Sequence, residues 1–235
     1  AHIPAFVLHQ VTCQFATGDT LFGPLNLSLE SSLCGLVGRN GVGKTRLLRL
    51  LAGLDSPADG YIERGASIAW GAQQPNVTPE MTLAALLGYA PIFDALSRLE
   101  QGQVLAADFD LLDGHWDLPD RLSLAFHEAA LPPFSADRPA FSLSGGERMK
   151  ALLCGAFVSG ADYLLLDEPT NHLDRQGREW LYHQLESWQG GALIASHDRE
   201  LLARMPRIIE LTPTALHSYG GNYDEYQRQR MAEQQ

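Results

Sequence analysis

The stretch Gly38–Thr45, GRNGVGKT, combines three glycines, a lysine and a threonine in eight residues. Glycines at this spacing allow backbone N–H groups to turn inward around an anion, and the helix predicted to begin at Lys44 adds its positive end. The pattern predicts a loop that holds nucleotide phosphates, with Lys44 reaching the β- and γ-phosphates and the Thr45 hydroxyl binding Mg²⁺. A plain turn between a strand and a helix is the alternative. The residues assigned to this loop are Gly38, Asn40, Gly41, Gly43, Lys44 and Thr45.

Two carboxylates and a histidine follow other apolar runs of the chain. Asp167 and Glu168 come directly after the run that begins at Tyr163, and His197 follows Ala192–Ser196. Placing two carboxylates at the end of a buried strand is unfavourable unless they face cations or water. We therefore expect Asp167 to hold Mg²⁺ through a water and Glu168 to polarise an attacking water as general base, a role worth about 10²–10⁴ in rate. An ordinary acidic loop after a strand is the alternative.

The stretch LSGGE, Leu143–Glu147, predicts a second anion site in the same chain. Ser144 can cap the helix that follows, and two glycines expose backbone N–H groups at its positive end. If a helical subdomain holds this site away from the first, a second copy that faces the chain would complete both sites around the nucleotide. A helix cap with a flexible glycine pair is the alternative. The nucleotide-binding residues assigned here are Ser144, Gly145, Gly146 and Glu147.

These stretches need a scaffold in which buried strands alternate with helices. Three apolar runs without polar alternation predict strands covered on both faces, namely Leu33–Val37, Tyr163–Pro169 and Ala192–Ser196. Such strands favour a mainly parallel sheet with helical cover, in which ligands bind beyond the carboxyl ends of the strands. Lys44, Glu168 and His197 all follow such ends, although they lie far apart in sequence. Their convergence is the main reason to predict one site.

The remaining segments predict two further parts of an α/β fold of the P-loop NTPase type. Alternation over Phe6–Phe15 and Leu25–Glu30 predicts antiparallel strands, and Tyr61–Trp70 predicts a hairpin of short strands. Leu, Ala and Asp, interrupted by Pro and Gly, predict an inserted helical subdomain over residues 76–141. The ATPase core with its antiparallel β part would then comprise residues 1–75 and 142–220, and residues 221–235 would begin an exposed linker helix.

Composition narrows the classes of partner. The formal net charge of -11 disfavours a surface for nucleic-acid phosphate, so we expect no direct DNA binding. No apolar run approaches the roughly eighteen residues of a membrane span, and the first ten residues do not have the pattern of a signal peptide. The cysteines, without CxxC spacing, predict a reducing, cytoplasmic setting. They are Cys13, Cys34 and Cys154. The apolar surroundings of Cys34 and Cys154 predict core thiols at these two positions.

Six ordered motifs resemble those of the ATP-binding cassette (ABC) ATPases. They are GRNGVGKT, Gln73 in AQQP, LSGGE, LLLDEP, HLD ending at Asp174, and His197 in SHD. The resemblance implies binding and hydrolysis of ATP with Mg²⁺. It implies that Gln73 contacts the γ-phosphate and Mg²⁺, that Asp174 contacts a partner cassette, and that His197 contacts the γ-phosphate and positions the water. Phe15 lies where the family keeps an aromatic that stacks on adenine; a core phenylalanine is the alternative.

Within this family, EPTNHLD, LSGGERMK and GGNYDEYQRQR resemble the ABC-F branch. Members are soluble proteins with two cassettes in one chain that act on ribosomes. The resemblance implies a second cassette as partner, in the same full-length chain or in a homodimer, and the ribosome as a further partner. We expect the sequence to be the N-terminal half of a longer protein and to hydrolyse ATP slowly on its own.

One departure and two alternatives remain open at this point. Gln73 and Ser144 are 71 residues apart, which leaves little room for the extra helical arm that some first cassettes carry. The ATPase subunit of a membrane transporter is the main alternative, although TNHLD and the GNYDEY ending disfavour it. A DNA-repair ATPase of the same fold would usually contain long coiled coils or zinc-binding cysteines, and neither is visible.

Overall fold

A six-stranded sheet positions the functional residues. The structure is a computed structural model that describes residues 3–71 and 76–234. Its strands are β1 (Phe6–Gln14), β2 (Thr20–Leu29), β3 (Leu33–Val37), β4 (Asp59–Arg64), β5 (Ile68–Gly71), β6 (Tyr163–Asp167), β7 (Gly191–Ala195), β8 (Arg207–Leu211) and β9 (Leu216–Gly220). Its α-helices are α1 (Lys44–Leu51), α2 (Leu83–Leu86), α3 (Ala90–Glu100), α4 (Ala106–Leu112), α5 (Leu118–Glu128), α6 (Gly145–Phe157), α7 (Arg175–Ser187), α8 (Arg199–Ala203) and α9 (Tyr223–Glu233).

The six-stranded sheet has the order β5-β6-β7-β3-β8-β9. Its first five strands in this order are parallel, and β9 pairs antiparallel with β8. Every residue of β6 and β7 is buried, which explains why these strands are continuous apolar runs without alternation. The predicted strand Leu33–Val37 has the bounds of β3. The sequence-based fold class, a mainly parallel sheet with an antiparallel β part and inserted helices, is confirmed.

A second sheet, with the order β2-β1-β4, is antiparallel throughout. In β1 the buried residues include Phe6 and Leu8 on the face that packs into the core, as alternation predicts. Gln10 breaks the pairing with β4 as a bulge: its φ is 51°, and it lies against Gly60, where an added Cβ would be 2.2 Å from the Gln10 carbonyl oxygen.

The predicted hairpin over Tyr61–Trp70 is wrong. Its first half, β4, pairs with β1 in the antiparallel sheet, whereas its second half, β5, pairs parallel with β6. Between them Gly65 donates to the Ala5 carbonyl oxygen at 2.9 Å, and the Ser67 carbonyl oxygen accepts from Tyr163 N at 3.0 Å. Two short strands in succession therefore change sheets, and alternation alone does not identify a strand's partner.

Helix α1 begins within the Gly38–Thr45 loop and packs into the apolar core that it shares with both sheets. It buries Leu47, Leu48, Leu50 and Leu51 in one apolar cluster together with residues of β1, β2, β3 and β6. Arg64 ends the helix by donating to the carbonyl oxygens of Leu50 (2.6 Å) and Leu51 (3.0 Å). The chain then turns at Gly53, which has a φ of 76°, a left-handed conformation that favours glycine after a helix.

The described residues fall into two compact units. The first lies within Ala1–Gln73, Ala161–Thr170 and Tyr182–Gln235, and the second lies within Gln74–Gly160 and Asn171–Leu181. The second unit has its own apolar clusters, built from α2, α3, α5 and α6 and including Leu83, Phe126 and Cys154. Cys34 and Cys154 are both buried, as predicted.

Helix α9 closes the first unit. Asn222 and Glu225 form a reciprocal cap at its start, Tyr226 is buried, and Arg230 lies 3.4 Å from the carboxylate of Glu210 in β8. A helix is therefore present where the GNYDEY ending predicts one, although Tyr226 gives it a packed face. Among the helices of the described chain, none has the length and apolar character needed to cross a membrane.

Candidate active site

A cleft of 410 Å³ opens in the first unit where β3, β6 and β7 end. Most of the residues predicted for the first site line this cleft: Phe15, Asn40, Gly41, Gly43, Lys44, Thr45, Asp167, Glu168 and His197. Leu21 and Arg46 also line it. The structure thus brings together side chains from positions 15 to 197, as the shared edge of parallel strands requires.

The glycines of the loop meet local steric demands. A Cβ on Gly38 would lie 2.8 Å from the Leu211 carbonyl oxygen, so the loop leaves β3 directly against the backbone of β8. Gly43 has a φ of 106°, and a Cβ there would lie 2.8 Å from Leu21 and 2.9 Å from Phe22. Gly41 has open space but a φ of 78°. The left-handed backbone at Gly41 and Gly43 therefore favours glycine at both positions.

Lys44 lies folded over this loop. Its Nζ donates to the carbonyl oxygens of Gly38 at 2.9 Å and Arg39 at 3.4 Å. Burial lowers the pKa of Lys44, and the nearby carboxylates of Glu168 and Asp167 oppose that shift. The cleft therefore holds a mostly buried cation beside two buried acids, an arrangement suited to a polyanion that brings its own metal ion.

A short hydrogen bond joins two of the three residues that the sequence predicts to bind magnesium. Thr45 Oγ1, in the first turn of α1, donates to Asp167 Oδ2, at the end of β6, over 2.6 Å. Burial raises the pKa of Asp167, while the Thr45 hydroxyl and Lys44 oppose the rise. Two oxygen donors at the mouth of a glycine loop match the small set of protein ligands that Mg²⁺ takes beside substrate phosphates. Residues 3–71 and 76–234 contain no cluster of three or more His, Cys, Asp or Glu side chains placed to hold a metal without such help.

Glu168 lies one residue beyond Asp167 in an uncommon backbone conformation. Its φ is 48°, and its N–H donates to the Ala195 carbonyl oxygen at 2.8 Å, which continues the pairing of β6 with β7. A side-chain-bearing residue is strained in this region, and such strain concentrates at functional sites. Burial raises the pKa of Glu168, and His197, with its Nε2 3.3 Å from Oε1, opposes the rise. A carboxylate with a raised pKa is a better proton acceptor near neutral pH.

Phe15 is exposed rather than part of the core. About half of its surface, 51%, is accessible, and its ring lines the same cleft as the loop. The core alternative for this residue is therefore wrong. An exposed aromatic beside a phosphate loop provides a flat apolar face of the kind on which a base can stack.

The second predicted site lies in the second unit, around the start of α6. Ser144 Oγ accepts from Glu147 N at 3.2 Å and Ser144 N donates to Glu147 Oε1 at 2.8 Å, so the predicted cap forms as a reciprocal pair. A cleft of 260 Å³ adjoins it and includes Gly146 and Asp174 in its lining. A Cβ on Gly146 would lie 2.8 Å from the His172 carbonyl oxygen, so only glycine fits there.

The other residues predicted for this part of the chain have different positions. Gly145 lies against the His172 ring, 3.4 Å from where its Cβ would be. Asp174 Oδ1 accepts from Gly177 N at 2.7 Å and so caps the start of α7. Gln73 lies outside the described residues.

Several lining residues have no role assigned from the sequence, among them Leu21 and Arg46 in the first cleft and Lys150 and His172 in the second. Arg46 follows Thr45 directly, and a basic residue so close to a phosphate loop is a signal that could have identified it. Lys150 lies three residues after Glu147, one turn along α6, which is a similar signal. His172 is part of the HLD stretch, which could have identified it, whereas Leu21 reaches the first cleft through long-range folding and has no local pattern.

Comparison with known proteins agrees with this geometry. A model of the family described as "ABC transporter" matches residues 23–171. The chain belongs to this family. It is an ABC ATPase domain, and the resemblance drawn from the six motifs is confirmed. The family implies nucleotide binding.

Two curated relatives with similar sequence identity to this chain are much longer than it is. The energy-dependent translational throttle protein EttA of Mycobacterium tuberculosis is 34% identical over 246 residues, covering 96% of this chain and 41% of the relative. The probable ATP-binding protein YheS of Escherichia coli is 35% identical over 218 residues, covering 86% of this chain and 34% of the relative. The chain thus spans well under half the length of these relatives.

Solved structures share the fold at low identity. An ATP-binding subunit of an ABC transporter superposes with a TM-score of 0.72 at 18% identity, covering 97% of this chain and 93% of that one. A dimeric bacterial ABC transporter cassette gives a TM-score of 0.69 at 19% identity, covering 92% and 98%. These likenesses support the cassette fold and nothing finer.

The raised pKa of Asp167 predicts that its ionised carboxylate lowers the free energy of unfolding at neutral pH. A carboxyl whose pKa is raised by folding stabilises the fold only below its unfolded pKa, and this contribution is lost as pH rises through the folded pKa. Asp167→Asn keeps the acceptor for Thr45 without the buried charge. In nucleotide-free protein at about pH 7.5 we expect its melting temperature to exceed that of the wild type by about 2–4 °C.

The gain should shrink as the pH falls towards about 4, because the wild-type carboxyl then becomes neutral as well. Asp110→Asn, at an exposed position, is the control and should leave the melting temperature unchanged. Differential scanning fluorimetry across this pH range checks the prediction. A melting temperature of Asp167→Asn at or below that of the wild type at neutral pH would contradict it.

Proposed function

We propose that this cassette binds ATP with Mg²⁺ in the 410 Å³ cleft and hydrolyses it when a second cassette closes over the nucleotide. The observation that carries the proposal is the convergence of Lys44, Thr45, Asp167, Glu168 and His197 on one cleft from the ends of three strands. Convergence of a buried cation, two acids and a histidine beside a glycine loop supports phosphoryl transfer better than any single motif does.

Binding follows from the charges of the loop. The triphosphate would lie along Gly38–Thr45, where the backbone N–H groups and the start of α1 attract anions. Lys44 would exchange its hydrogen bonds to the Gly38 and Arg39 carbonyl oxygens for phosphate oxygens. Thr45 and Asp167 would hold Mg²⁺, directly and through a water, and the ion would neutralise charge on the β- and γ-phosphates. Gln73 would complete this set according to the family pattern.

Hydrolysis follows from the position of Glu168. A water held between Glu168 and the γ-phosphate would attack phosphorus, and the bond to the oxygen that bridges the β- and γ-phosphates would break. The water proton would pass to the Glu168 carboxylate, whose pKa is raised by burial. His197, 3.3 Å from Glu168, would orient that carboxylate and contact the γ-phosphate. The products are ADP and phosphate.

Selection of adenine would rest on Phe15. Its half-exposed ring at the cleft supports stacking of a purine, and the preference for ATP over GTP comes from the family resemblance.

A second cassette would supply the remaining contacts. Ser144, Gly146 and Asp174 line a cleft in the second unit, whereas the phosphate loop belongs to the first. A dimer in which each cassette presents its Ser144 cleft to the partner's phosphate loop would complete both sites. That a bacterial cassette of the same fold forms a dimer supports this arrangement. The partner is the second half of the same full-length chain or another copy.

We further propose that the chain is the N-terminal half of a cytoplasmic ABC-F protein that acts on the ribosome. Its similarity to a translational throttle protein over 96% of its residues supports this, together with EPTNHLD and the GNYDEY ending. The transporter alternative has weaker support, because the curated relatives above carry no transporter name. The proposed division into an ATPase core, a helical subdomain at 76–141 and a linker helix at 221–235 belongs to the same proposal.

Lys44→Ala tests the binding site. Loss of the buried cation should weaken ATP binding at least about tenfold, because charge-assisted contacts to phosphate are among the strongest in proteins. Isothermal titration calorimetry with Mg²⁺ and ATP measures the affinity. Lys150→Ala, which alters the second cleft, is the matched control. In dilute, monomeric protein it should bind ATP with the affinity of the wild type, because the second cleft is proposed to contact only a partner's nucleotide. An affinity of Lys44→Ala within twofold of the wild type would refute the role given to Lys44.

Glu168→Gln tests the general base and the pairing together. The variant should bind ATP but release phosphate at least about 10²-fold more slowly, because glutamine cannot accept the proton. It should also accumulate as an ATP-bound dimer, visible by size-exclusion chromatography with light scattering. Glu100→Gln, at an exposed position, should behave as the wild type. Undiminished phosphate release would exclude Glu168 as the base, and a persistent monomer at saturating ATP would count against homodimer closure.

A further inference from the structure

The second unit carries a cluster of exposed apolar side chains around α4. Val104, Leu105, Phe109 and Trp116 have 69%, 50%, 46% and 51% of their surface exposed. The rings of Phe109 and Trp116 lie 6.0 Å apart, centroid to centroid, and Leu105 precedes Phe109 by one helical turn. These four residues are called the α4 patch.

The α4 patch is not an unfinished part of the core. The inward side of α4 is already occupied by Asp108 and Leu112, and both are buried. Arg98 holds Asp108 with two hydrogen bonds, of 3.0 and 2.7 Å. The helix is therefore fixed in its orientation, with Phe109 on the outside. Exposed large apolar side chains that are grouped rather than scattered indicate a surface that a partner covers.

Charge around the α4 patch identifies the kind of partner. Residues 101–120 contain five aspartates and neither lysine nor arginine. Four of these aspartates are exposed: Asp110, Asp113, Asp117 and Asp120. Asp117 pairs with Arg121 at 3.0 Å, whereas no salt bridge forms at Asp110 or Asp113 in the described chain. The surface is therefore apolar at its centre and acidic at its rim.

This combination selects among possible occupants. Nucleic acid would place phosphates against the acidic rim, and a second copy of the chain would place one acidic rim against another. A protein segment with apolar residues on one face and Lys or Arg beside them complements both features.

We propose that the α4 patch docks a basic amphipathic segment of a partner protein. Apolar side chains of that segment pack on Phe109 and Trp116, and its cations meet Asp110 and Asp113. The site is separate from the nucleotide chemistry, because none of these residues lines either cleft described above. It adds an interaction surface to the proposed ATPase and does not depend on that function.

The test uses a fluorescein-labelled peptide of about 14 residues, built from Leu and Lys so that a helix places all Leu on one face. Fluorescence anisotropy with the whole chain should show binding that weakens as salt rises from about 50 to about 300 mM. Phe109→Ser and Trp116→Ser should each weaken binding at least about fivefold. The double variant Asp110→Asn/Asp113→Asn should weaken binding and flatten its salt dependence.

Phe141→Ser is the matched control, since Phe141 is an exposed phenylalanine of the same unit, with 59% of its surface accessible. It should bind the peptide as the wild type does. ATP turnover should be unchanged in Phe109→Ser, which separates this test from that of the ATPase. Circular dichroism verifies that each variant is folded. If an apolar variant does not fold, the double variant Asp110→Asn/Asp113→Asn still tests the proposed docking surface.

Four results of the binding experiments would overturn the proposal. They are absence of peptide binding, equal loss in Phe141→Ser, equal binding of a twin peptide with Glu in place of Lys, and tighter binding of a polyuridylate of matched length. Self-association of the wild type in sedimentation experiments that Phe109→Ser abolishes would also overturn it, in favour of a second copy as occupant.

Discussion

The hydrogen bond from Thr45 to Asp167 is the interaction on which the active-site geometry depends. At 2.6 Å it ties the first turn of α1 to the carboxyl end of β6, two elements that are more than a hundred residues apart in the chain. Once this distance is fixed, Lys44 and Glu168, the adjacent residues on each side, must border the same volume. Asp167 is buried at its end of this bond, so the bond holds a carboxylate where water is scarce.

That concentration of charge explains the unfavourable features of the site. Burial raises the pKa values of Asp167 and Glu168 and lowers that of Lys44, so each group is held in an environment that disfavours its charged form. Glu168 also has a left-handed backbone. Such sites reduce the stability of the free protein, and a ligand that compensates the charges stabilises the folded state by mass action. The same features that cost stability are those proposed above to bind Mg²⁺ and phosphate and to accept a proton.

Local patterns predicted the parts of the fold that depend on one segment. The unbroken apolar run of β3, the start of α1 at Lys44 and the cap at Ser144 are all encoded within a few residues, and the structure agrees with them. The convergence at the sheet edge was predictable as well, because parallel strands share the edge at which they end. The ordered motifs were specific enough to identify the family.

Features that depend on long-range pairing were not predictable from local patterns. β4 and β5 alternate in the same way, and only their partners β1 and β6 place them in different sheets. Phe15 directly follows the last residue of β1, and its ring is exposed, because the alternation of buried and exposed residues does not continue beyond the end of a strand. Leu21 reaches the first cleft through long-range folding alone. The acidic, apolar surface of α4 is visible in the sequence only as composition.

A crystal structure with a nonhydrolysable ATP analogue and Mg²⁺ tests the central claim most directly. The account predicts the triphosphate against Gly38–Thr45, with Mg²⁺ at about 2.0–2.1 Å from Thr45 Oγ1 and a water between the ion and Asp167. Nucleotide density anywhere else, or Mg²⁺ with no contact to Thr45, would contradict it.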